Sequence, residues 1–380
     1  MACTLTQAFH QHFSVVDDPR IDRSKCHLLT DILFLAVCAT IAGADGPSDI
    51  ADFGRQQIQW LRKFITLPNG IPSHDTIGRV FSLIKPLQFQ QAFLGWIGTL
   101  MPDDVDGNAF RLVPIDGKTL RGSLHRNEEQ KPLHLVSAWA TNCGLSLGQV
   151  AVDEKSNEIT AIPKLLEMLE LAGAIVTIDA MGCQKDIAEK IVDKKADFVL
   201  AVKDNQPNLR EAIEASFVEI DNQDSENTGS RHYATKEKSR GRNEERDYVI
   251  APVPKEMLAL KTEWKGLRTI GRVIANVERD GKQSEEVRYF ISSLPPKVKQ
   301  FAEAVRGHWG IENSLHWVLD VVFGEDASAI HIGHAPENFG FLRRFVVSLL
   351  KRDTSEGSLR RKRKRAAWST SFLEKVLRNQ

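Results

Sequence analysis

Leu112-Val-Pro-Ile-Asp116 and Ala174-Ile-Val-Thr-Ile-Asp179 are two short apolar runs, and each of them ends in an aspartate. Runs of this length and composition predict buried β-strands. Open α/β sheets bind their ligands beyond the carboxyl ends of such strands, which is where both aspartates fall. The runs therefore predict an α/β fold with a functional site at Asp116 and Asp179. For either aspartate alone, a role as an ordinary loop or cap residue stays open.

The segments around these runs predict the order strand, hairpin, helix, strand, helix, strand. Residues 133–140 and 145–152 have the pattern of a hairpin, 159–171 and 184–194 that of helices, and 197–202 that of a last strand. This order predicts a mixed sheet flanked by helices, antiparallel first and parallel later.

Four further regions surround this predicted core. Residues 28–105 show helical spacing, and residues 1–105 are predicted to form an N-terminal all-helical domain. Residues 205–295 contain three strand-like runs and predict a β-rich insertion, and a long helix is expected from about 298 to 322. The expected divisions are 1–105 for the helical domain, 106–204 for the first part of the core, 205–295 for the insertion, 296–350 for the core helices and 351–380 for a basic tail.

The N-terminal region contains a possible helix-turn-helix. Its turn is expected at residues 66–72, and Ser73 is the expected N-cap of the second helix. DNA recognition by this pair and ordinary helical packing both stay open.

Charge is unevenly distributed along the 380 residues. The chain has 50 basic and 50 acidic side chains, which excludes a globally cationic chromatin-type protein. Residues 351–380 hold ten Lys or Arg and three Asp or Glu, a net +7, so residues 1–350 carry −7. A basic tail suggests a local contact with a polyanion, and a merely solvated tail is the alternative.

The composition also predicts the compartment. The five cysteines are odd in number and never form C-x-x-C, which predicts a reducing cytoplasm without a disulfide framework. No signal-peptide pattern opens the chain, and the apolar run 32–44 is shorter than the ~20 residues that span a bilayer. A cytoplasmic protein with no membrane partner is expected.

A third carboxylate is expected if Asp116 and Asp179 hold divalent cations. Mg²⁺ prefers octahedral oxygen ligands, which carboxylates and substrate phosphates supply. Glu312 is the best placed, because it lies on the rim of the apolar face of the long helix. A surface role for Glu312 stays open, and the acids held in reserve are Asp320, Glu325 and Asp326.

Spacing excludes two other ligand sites. Gly117-Lys-Thr119 resembles the end of a P-loop, but the first glycine of that motif would fall at Leu112. His308, Glu312 and His316 follow one another at intervals of four, which is not the H-E-x-x-H spacing of a zinc site.

Five ordered blocks extend over nearly the whole chain: Gly70–Thr76 (GIPSHDT), Ile115–Gly122 (IDGKTLRG), Thr177–Gln184 (TIDAMGCQ), Val202–Pro207 (VKDNQP) and His308–Asp320 (HWGIENSLHWVLD). Together they resemble the DDE transposases of bacterial insertion sequences, specifically the H-repeat-associated group. The resemblance is specific because five blocks occur in order, whereas a D…D…E spacing alone would be weak.

The resemblance implies a ribonuclease-H-like core in which Asp116, Asp179 and Glu312 are the catalytic, metal-binding triad. It implies two Mg²⁺ ions, with Mn²⁺ as a substitute: Asp116 bridges both, and Asp179 and Glu312 complete one each. The implied reaction is hydrolysis at the element ends followed by attack of the 3′-hydroxyl on target DNA. The implied partners are double-stranded DNA, as terminal inverted repeats and as target, and further copies of the chain in a homo-oligomer on paired ends, without a nucleotide cofactor.

Basic residues near the acids and in the insertion are the candidate DNA contacts. Alternating cations from 236 to 242 would project from one side of an extended segment and track phosphates, although Gly241 could break the strand and leave a solvated loop. The candidates are Lys118, Lys236, Lys238, Arg240, Arg242 and Arg246.

Two other functions stay open at this point. One is a ribonuclease-H-like nuclease that cuts DNA without joining it. The other is a catalytically inactive, decayed or repurposed DNA-binding protein.

Overall fold

A nine-stranded sheet forms the centre of the computed structural model, which describes residues 5–99, 112–123, 132–153, 156–223, 225–239, 242–279 and 281–378. The strands are β1 (Leu112–Thr119), β2 (His134–Ala140), β3 (Leu145–Ala151), β4 (Ile175–Ile178), β5 (Asp197–Val202), β6 (Arg231–Ser239), β7 (Arg242–Pro252), β8 (Thr269–Arg279) and β9 (Lys282–Ser292). Their spatial order is β3-β2-β1-β4-β5-β9-β8-β7-β6.

The first half of the sheet is mixed. β1, β4 and β5 are parallel, whereas β2 and β3 run antiparallel beside β1. This confirms the predicted α/β order, and it is the arrangement expected of a ribonuclease-H-like core. The parallel strands are almost wholly buried because helices cover both faces.

The predicted insertion is part of the same sheet and not a separate lobe. β9 pairs antiparallel with β5, and β8, β7 and β6 follow as an antiparallel meander. Three strands of eleven residues, β7, β8 and β9, form the long part of this meander. Helix formation within 207–221 was not predicted.

Sixteen α-helices surround the sheet in the described ranges. They are α1 (Leu5–Phe13), α2 (Leu29–Ile41), α3 (Pro47–Gln56), α4 (Ile58–Leu61), α5 (His74–Leu83), α6 (Pro86–Thr99), α7 (Glu158–Met168), α8 (Lys185–Asp193), α9 (Pro207–Asp221), α10 (Ser225–Thr228), α11 (Leu258–Glu263), α12 (Val298–Ile311), α13 (Trp317–Phe323), α14 (Ala335–Arg352), α15 (Leu359–Trp368) and α16 (Thr370–Arg378). No helix in these ranges has the length and apolarity needed to cross a membrane.

The N-terminal helices share their core with the rest of the chain. α14 is buried along most of its length, packing on α2, α5 and α6 and also on β3. One apolar cluster therefore runs from Phe9 to Leu377. The predicted boundary at 105/106 falls outside the described residues.

The turn before α5 is built as predicted. The Ser73 hydroxyl accepts a hydrogen bond from the amide of Thr76 at 3.2 Å, so Ser73 is the N-cap. Upstream, the Asp31 carboxylate accepts from the amide of Leu67 at 2.8 Å and fixes the turn. The helix preceding the turn, α4, has only four residues. DNA recognition by this pair remains a prediction.

The predicted basic tail is wrong in one respect, because the segment is folded. α15 and α16 pack against α14 and α2, and α16 buries Leu373 and Leu377. Two cations of the Arg360–Arg365 run are also buried. Lys362 bonds Asp353 at 3.2 Å, and Arg363 lies 4.1 Å over the Phe323 ring. Apolar residues interleaved with the charges drive this folding.

Candidate active site

Three carboxylates predicted from the sequence line one pocket of about 200 Å³. Asp116 lies on β1, Asp179 follows β4, and Glu312 follows α12. Because β1 and β4 are parallel neighbours, their carboxyl ends meet at one edge of the sheet, and α12 packs across both strands. The fold therefore brings together residues that are 63 and 133 positions apart in sequence.

Backbone amides hold the two aspartates. Asp116 Oδ1 accepts from the amide of Gly117 at 2.9 Å, and Oδ2 lies 3.4 Å from Nδ1 of His316. Asp179 caps a short 3₁₀ turn, where Oδ1 accepts from the amide of Met181 at 3.1 Å. In both residues one oxygen is engaged by the chain, which orients the carboxylate.

Glu312 begins a π-helical turn. Residues Glu312–His316 form this turn between α12 and α13, where a continuous helix was predicted. A π turn accommodates one extra residue, and such turns occur frequently at functional sites. The side-chain amide of Asn313 donates a hydrogen bond to the backbone carbonyl of Trp309 at 3.2 Å. This bond gives a partner to one carbonyl at the π turn.

Two contacts hold α12 close to the sheet. Thr177 on β4 is hydrogen-bonded through its hydroxyl to Nδ1 of His308 at 3.0 Å. Gly307 lies so near β1 that a Cβ there would be 2.1 Å from Cδ2 of Leu112. The missing side chain at Gly307 thus permits the approach that brings Glu312 to the aspartates.

Electrostatics distinguish Asp116 from an ordinary surface acid. Burial raises the pKa of Asp116, the hydrogen bond from Gly117 opposes the rise, and the charges of Glu158, Asp179 and Glu312 add to it, for a value of about 7. The pKa of Asp179 is also raised, by partial desolvation and then by Glu158. Carboxylates that repel one another in a cleft are typical of a site for cations.

Glu158 is a fourth acid that sequence reasoning missed. Its Oε1 lies 2.6 Å from Nε2 of His134, whose Nδ1 is 2.8 Å from the hydroxyl of Thr119. Both side chains occupy the space that a Cβ at Gly117 would fill, with Glu158 Oε1 only 2.1 Å away. The sequence offered one indication of where Glu158 lies: Asn157 is a typical N-cap residue, and it caps α7 with Glu158 in the first turn.

His308 on α12 and His316 in the π turn, which lie on either side of Glu312 in sequence, are neutral. Burial lowers the pKa of His308 to about 4 and that of His316 to about 3. His308 is bonded to the sheet and His316 faces Asp116, so the two point to different partners.

The acids of the pocket, Asp116, Asp179 and Glu312, offer carboxylate oxygens, which are the ligands that hard divalent cations prefer. Asp116, Asp179 and Glu312 share the pocket, but across the described ranges no three acidic, histidine or cysteine side chains converge closely enough to hold an ion. Holding an ion therefore requires the three carboxylates to draw together.

Lys118 is occupied by acids. Its ammonium lies 2.7 Å from Asp320 and 3.5 Å from Asp326, and its side chain is 9% exposed. The third reserve acid, Glu325, is buried against Arg344 at 2.9 Å. All three reserve acids are thus engaged outside the pocket.

The predicted basic strip is wrong in its geometry. β6 and β7 form a hairpin in which Lys236 opposes Glu245 and Ser239 opposes Arg242, so Arg242 and Arg246 face away from Lys236 and Lys238. Arg240 and Gly241 lie outside the described residues.

The hairpin cations are also accompanied by acids. Lys236 pairs with Glu245 at 2.6 Å, and both Arg242 and Arg246 pair with Glu244. The lysines line a hollow of about 840 Å³ whose acidic members are Glu237, Glu244, Glu245, Glu278 and Glu285. The surface is therefore mixed in charge.

Two family models match most of the chain. The family model described as "Transposase DDE domain" matches residues 108–349, and the one described as "DDE_Tnp_1-associated" matches residues 10–97. "Putative transposase YncI" of Escherichia coli O157:H7 is 44% identical over 98% of this chain and 94% of its own length.

A second relative is equally well covered. "H repeat-associated putative transposase YhhI" of Escherichia coli strain K12 is 42% identical over 97% of both chains. Among solved structures, a piggyBac transposase synaptic complex with hairpin DNA covers 97% of this chain at 10% identity and a TM-score of 0.40.

Proposed function

This chain belongs to the DDE transposase family, and from that membership we propose that it cleaves DNA at the ends of an insertion sequence and joins the exposed 3′-hydroxyl to target DNA. The observation that carries the proposal is the shared pocket of Asp116, Asp179 and Glu312. The inactive alternative is not favoured, because the family's motif blocks are uninterrupted and the three acids meet in one pocket.

The family uses divalent metal ions, and we propose two Mg²⁺ ions, replaceable by Mn²⁺, as the form used here. When bound, such ions activate the attacking hydroxyl and stabilise the leaving oxygen. In this proposal Asp116 would contact both ions, and Asp179 and Glu312 one each. The high pKa of Asp116 supports a cation there, because a nearby cation would offset both the burial and the repulsion that raise the pKa.

The chain's own groups position these acids. The amides of Gly117 and Met181 orient the aspartates, and neutral His308 holds the glutamate helix to β4. His316 faces Asp116 without adding charge. The nucleophile is water or a 3′-hydroxyl, so no serine or tyrosine of the chain forms a covalent intermediate.

The DNA contacts and assembly are further parts of the proposal. Lys236, Arg242 and Arg246 would exchange their glutamate partners for phosphates, and Lys238 would bind a phosphate directly. Lys118 would have to leave Asp320 and Asp326. Arg240 is proposed on the sequence pattern alone. We propose a homo-oligomer on paired element ends and, because the substrate is DNA and no disulfide links the described cysteines, a cytoplasmic location.

Cleavage and joining of DNA that carries the flanking element ends tests the function. Wild type with Mg²⁺ or Mn²⁺ should give joined products, and Asp116→Ala, Asp179→Ala and Glu312→Ala should each abolish them while the protein stays folded. Nicked DNA without joined product would favour the nuclease. End binding without any wild-type cleavage would favour the inactive protein.

A further inference from the structure

The pocket that holds the three acids also has a basic side. Lys203 directly follows β5, Arg288 lies on β9, and both line the pocket. β5 and β9 are antiparallel with Val202 opposite Tyr289, and continuing this register by one residue puts Lys203 opposite Arg288. The sheet therefore brings two cations together beside the carboxylates.

Arg288 is held in place from two sides. Its Nε and Nη2 donate to the two carboxylate oxygens of Glu286 at 2.7 and 2.6 Å. Its guanidinium carbon lies 4.5 Å from the ring centre of Trp309, on the helix that leads to Glu312. Neither contact engages Nη1, so this cation is oriented and retains a donor group for a ligand.

Lys203 is available for a ligand, unlike Lys118. Its side chain is exposed, and no residue in the described ranges forms a hydrogen bond or ion pair with its ammonium group. Its charge partly offsets the rise in the pKa of Asp179 and adds to the lowering of the pKa of Glu286 by Arg288, so the ammonium lies within electrostatic range of both.

Cations at this position would stabilise a bound DNA strand. The phosphate to be cut must approach three carboxylates that repel it, and its neighbour along the strand carries a second negative charge. Adjacent strands of a sheet are about 4.8 Å apart, so the backbones of β5 and β9 lie roughly 5 and 10 Å from β4, the strand that precedes Asp179. That is the scale of one nucleotide step rather than of the same phosphate.

We infer that Lys203 and Arg288 form a phosphate subsite, which binds the phosphate adjacent to the scissile phosphate on the strand that is cut. The inference rests on the proposed function. It assigns to the VKDNQP block a contact with substrate, made by its lysine.

Charge-neutral DNA tests the subsite. Duplexes carrying an element end are prepared with a single methylphosphonate at the phosphate on either side of the scissile one. Wild type and Lys203→Ala are compared for binding at a series of KCl concentrations, and for cleavage with Mn²⁺. Lys203→Arg tests whether charge suffices, and Lys255→Ala, an exposed lysine outside the pocket, is the matched control.

We expect Lys203→Ala to bind the unmodified end roughly tenfold more weakly. Its plot of log affinity against log salt should be shallower by about 0.9, the value for one lost phosphate contact. One of the two methylphosphonates should weaken wild type by at least a similar factor, and it should weaken Lys203→Ala less, because only Arg288 still contacts that phosphate in the variant. Lys203→Arg and Lys255→Ala should resemble wild type.

Several results would overturn the inference. An unchanged salt slope in Lys203→Ala, or equal methylphosphonate penalties in wild type and variant, would show that Lys203 does not meet that phosphate. If wild type cleaves normally in such an experiment, only the subsite fails. If wild type does not cleave the end under any condition, the proposed function fails and the subsite with it.

Discussion

Asp116 experiences repulsion that the folded chain does not relieve. Burial and the charges of Glu158, Asp179 and Glu312 raise its pKa to about 7. The folded state therefore holds a proton on Asp116 that the unfolded chain has already released above pH 3.8. Stability falls as pH rises from about 4 to about 7, and it remains lower above that range.

Asp116→Asn should therefore stabilise the protein above pH 7. A pKa raised from 3.8 to about 7 corresponds to a loss of at most about 4 kcal/mol in the free energy of unfolding. Solvent in the pocket screens the charges, so the measured value should be smaller. Thermal unfolding of wild type and variant from pH 4 to 8 measures this. The stabilities of wild type and Asp116→Asn should converge near pH 4. The exposed control Asp186→Asn should show no such trend. A difference between Asp116→Asn and wild type that is the same at every pH would contradict the raised pKa of Asp116.

Glu158 acts on both aspartates through its charge. Glu158→Gln keeps a side chain that can pair with His134 but removes the negative charge, so the pKa of Asp116 should fall below 7. Carboxyl ¹³C titration of labelled aspartate would detect the shift. Exposed Glu170→Gln is the control, and an Asp116 that titrates at the same pH in Glu158→Gln would argue against the interaction.

Helix α12 determines whether Glu312 reaches the aspartates. It crosses β1 and β4, and its close approach depends on Gly307 against Leu112. The π turn then alters the direction of the chain at Glu312. Two features within six residues therefore place Glu312: Gly307 allows α12 to pack close to β1, and the π turn directs the carboxylate.

Gly307→Ala should move α12 away from β1. The new Cβ would meet Leu112, and such overpacking costs about 1–3 kcal/mol although alanine favours the helix. We expect kcat for cleavage to fall with little change in KM, because Glu312 moves and the DNA surface does not. Adding Leu112→Ala should restore part of the rate.

Gly98→Ala on α6 is the control, since a Cβ there meets nothing within 4 Å. Full activity in Gly307→Ala would show that the close approach is unnecessary.

The whole molecule is organised around α14. This helix contacts the N-terminal helices, the sheet and the C-terminal helices, and its Arg344 is bonded to Glu325 and to Ser137 of β2 without exposure to solvent. The regions that sequence divides into a helical domain, core and tail therefore share one apolar interior.

Removing residues 351–380 should unfold the protein rather than only weaken DNA binding. α16 alone buries four apolar side chains, whose loss is comparable with a total stability of about 5–15 kcal/mol. The exposed cations can be removed separately with Arg360→Ala, Arg361→Ala and Lys364→Ala. This triple variant should keep its melting temperature and show a salt slope of DNA binding smaller by up to about 3.

Lys362→Ala is the contrasting single change, and it should lower the melting temperature because its ammonium is buried against Asp353. A soluble, cooperatively melting truncation would contradict the shared core. An unchanged salt dependence of DNA binding in the triple variant would show that these cations of α15 do not contact DNA.

The sequence by itself determined the local elements and the acids to examine. Apolar runs and helical spacing are local signals, so they predicted β1 to β5, the helices between them and the Ser73 cap. The position of Asp116 and Asp179 at strand ends follows from the same runs. Glu312 could be selected because its helix has one apolar face, and the motif blocks indicated the family.

Tertiary structure alone decided what lies beside what. The meander joins the core sheet because β9 pairs with β5, a contact between residues about 90 positions apart. Glu158 and Arg288 reach the site through packing of distant elements, which no local pattern encodes. The basic strip failed because hairpin pairing reverses which face a side chain occupies, and the tail folded because its apolar residues find a surface formed by the rest of the chain.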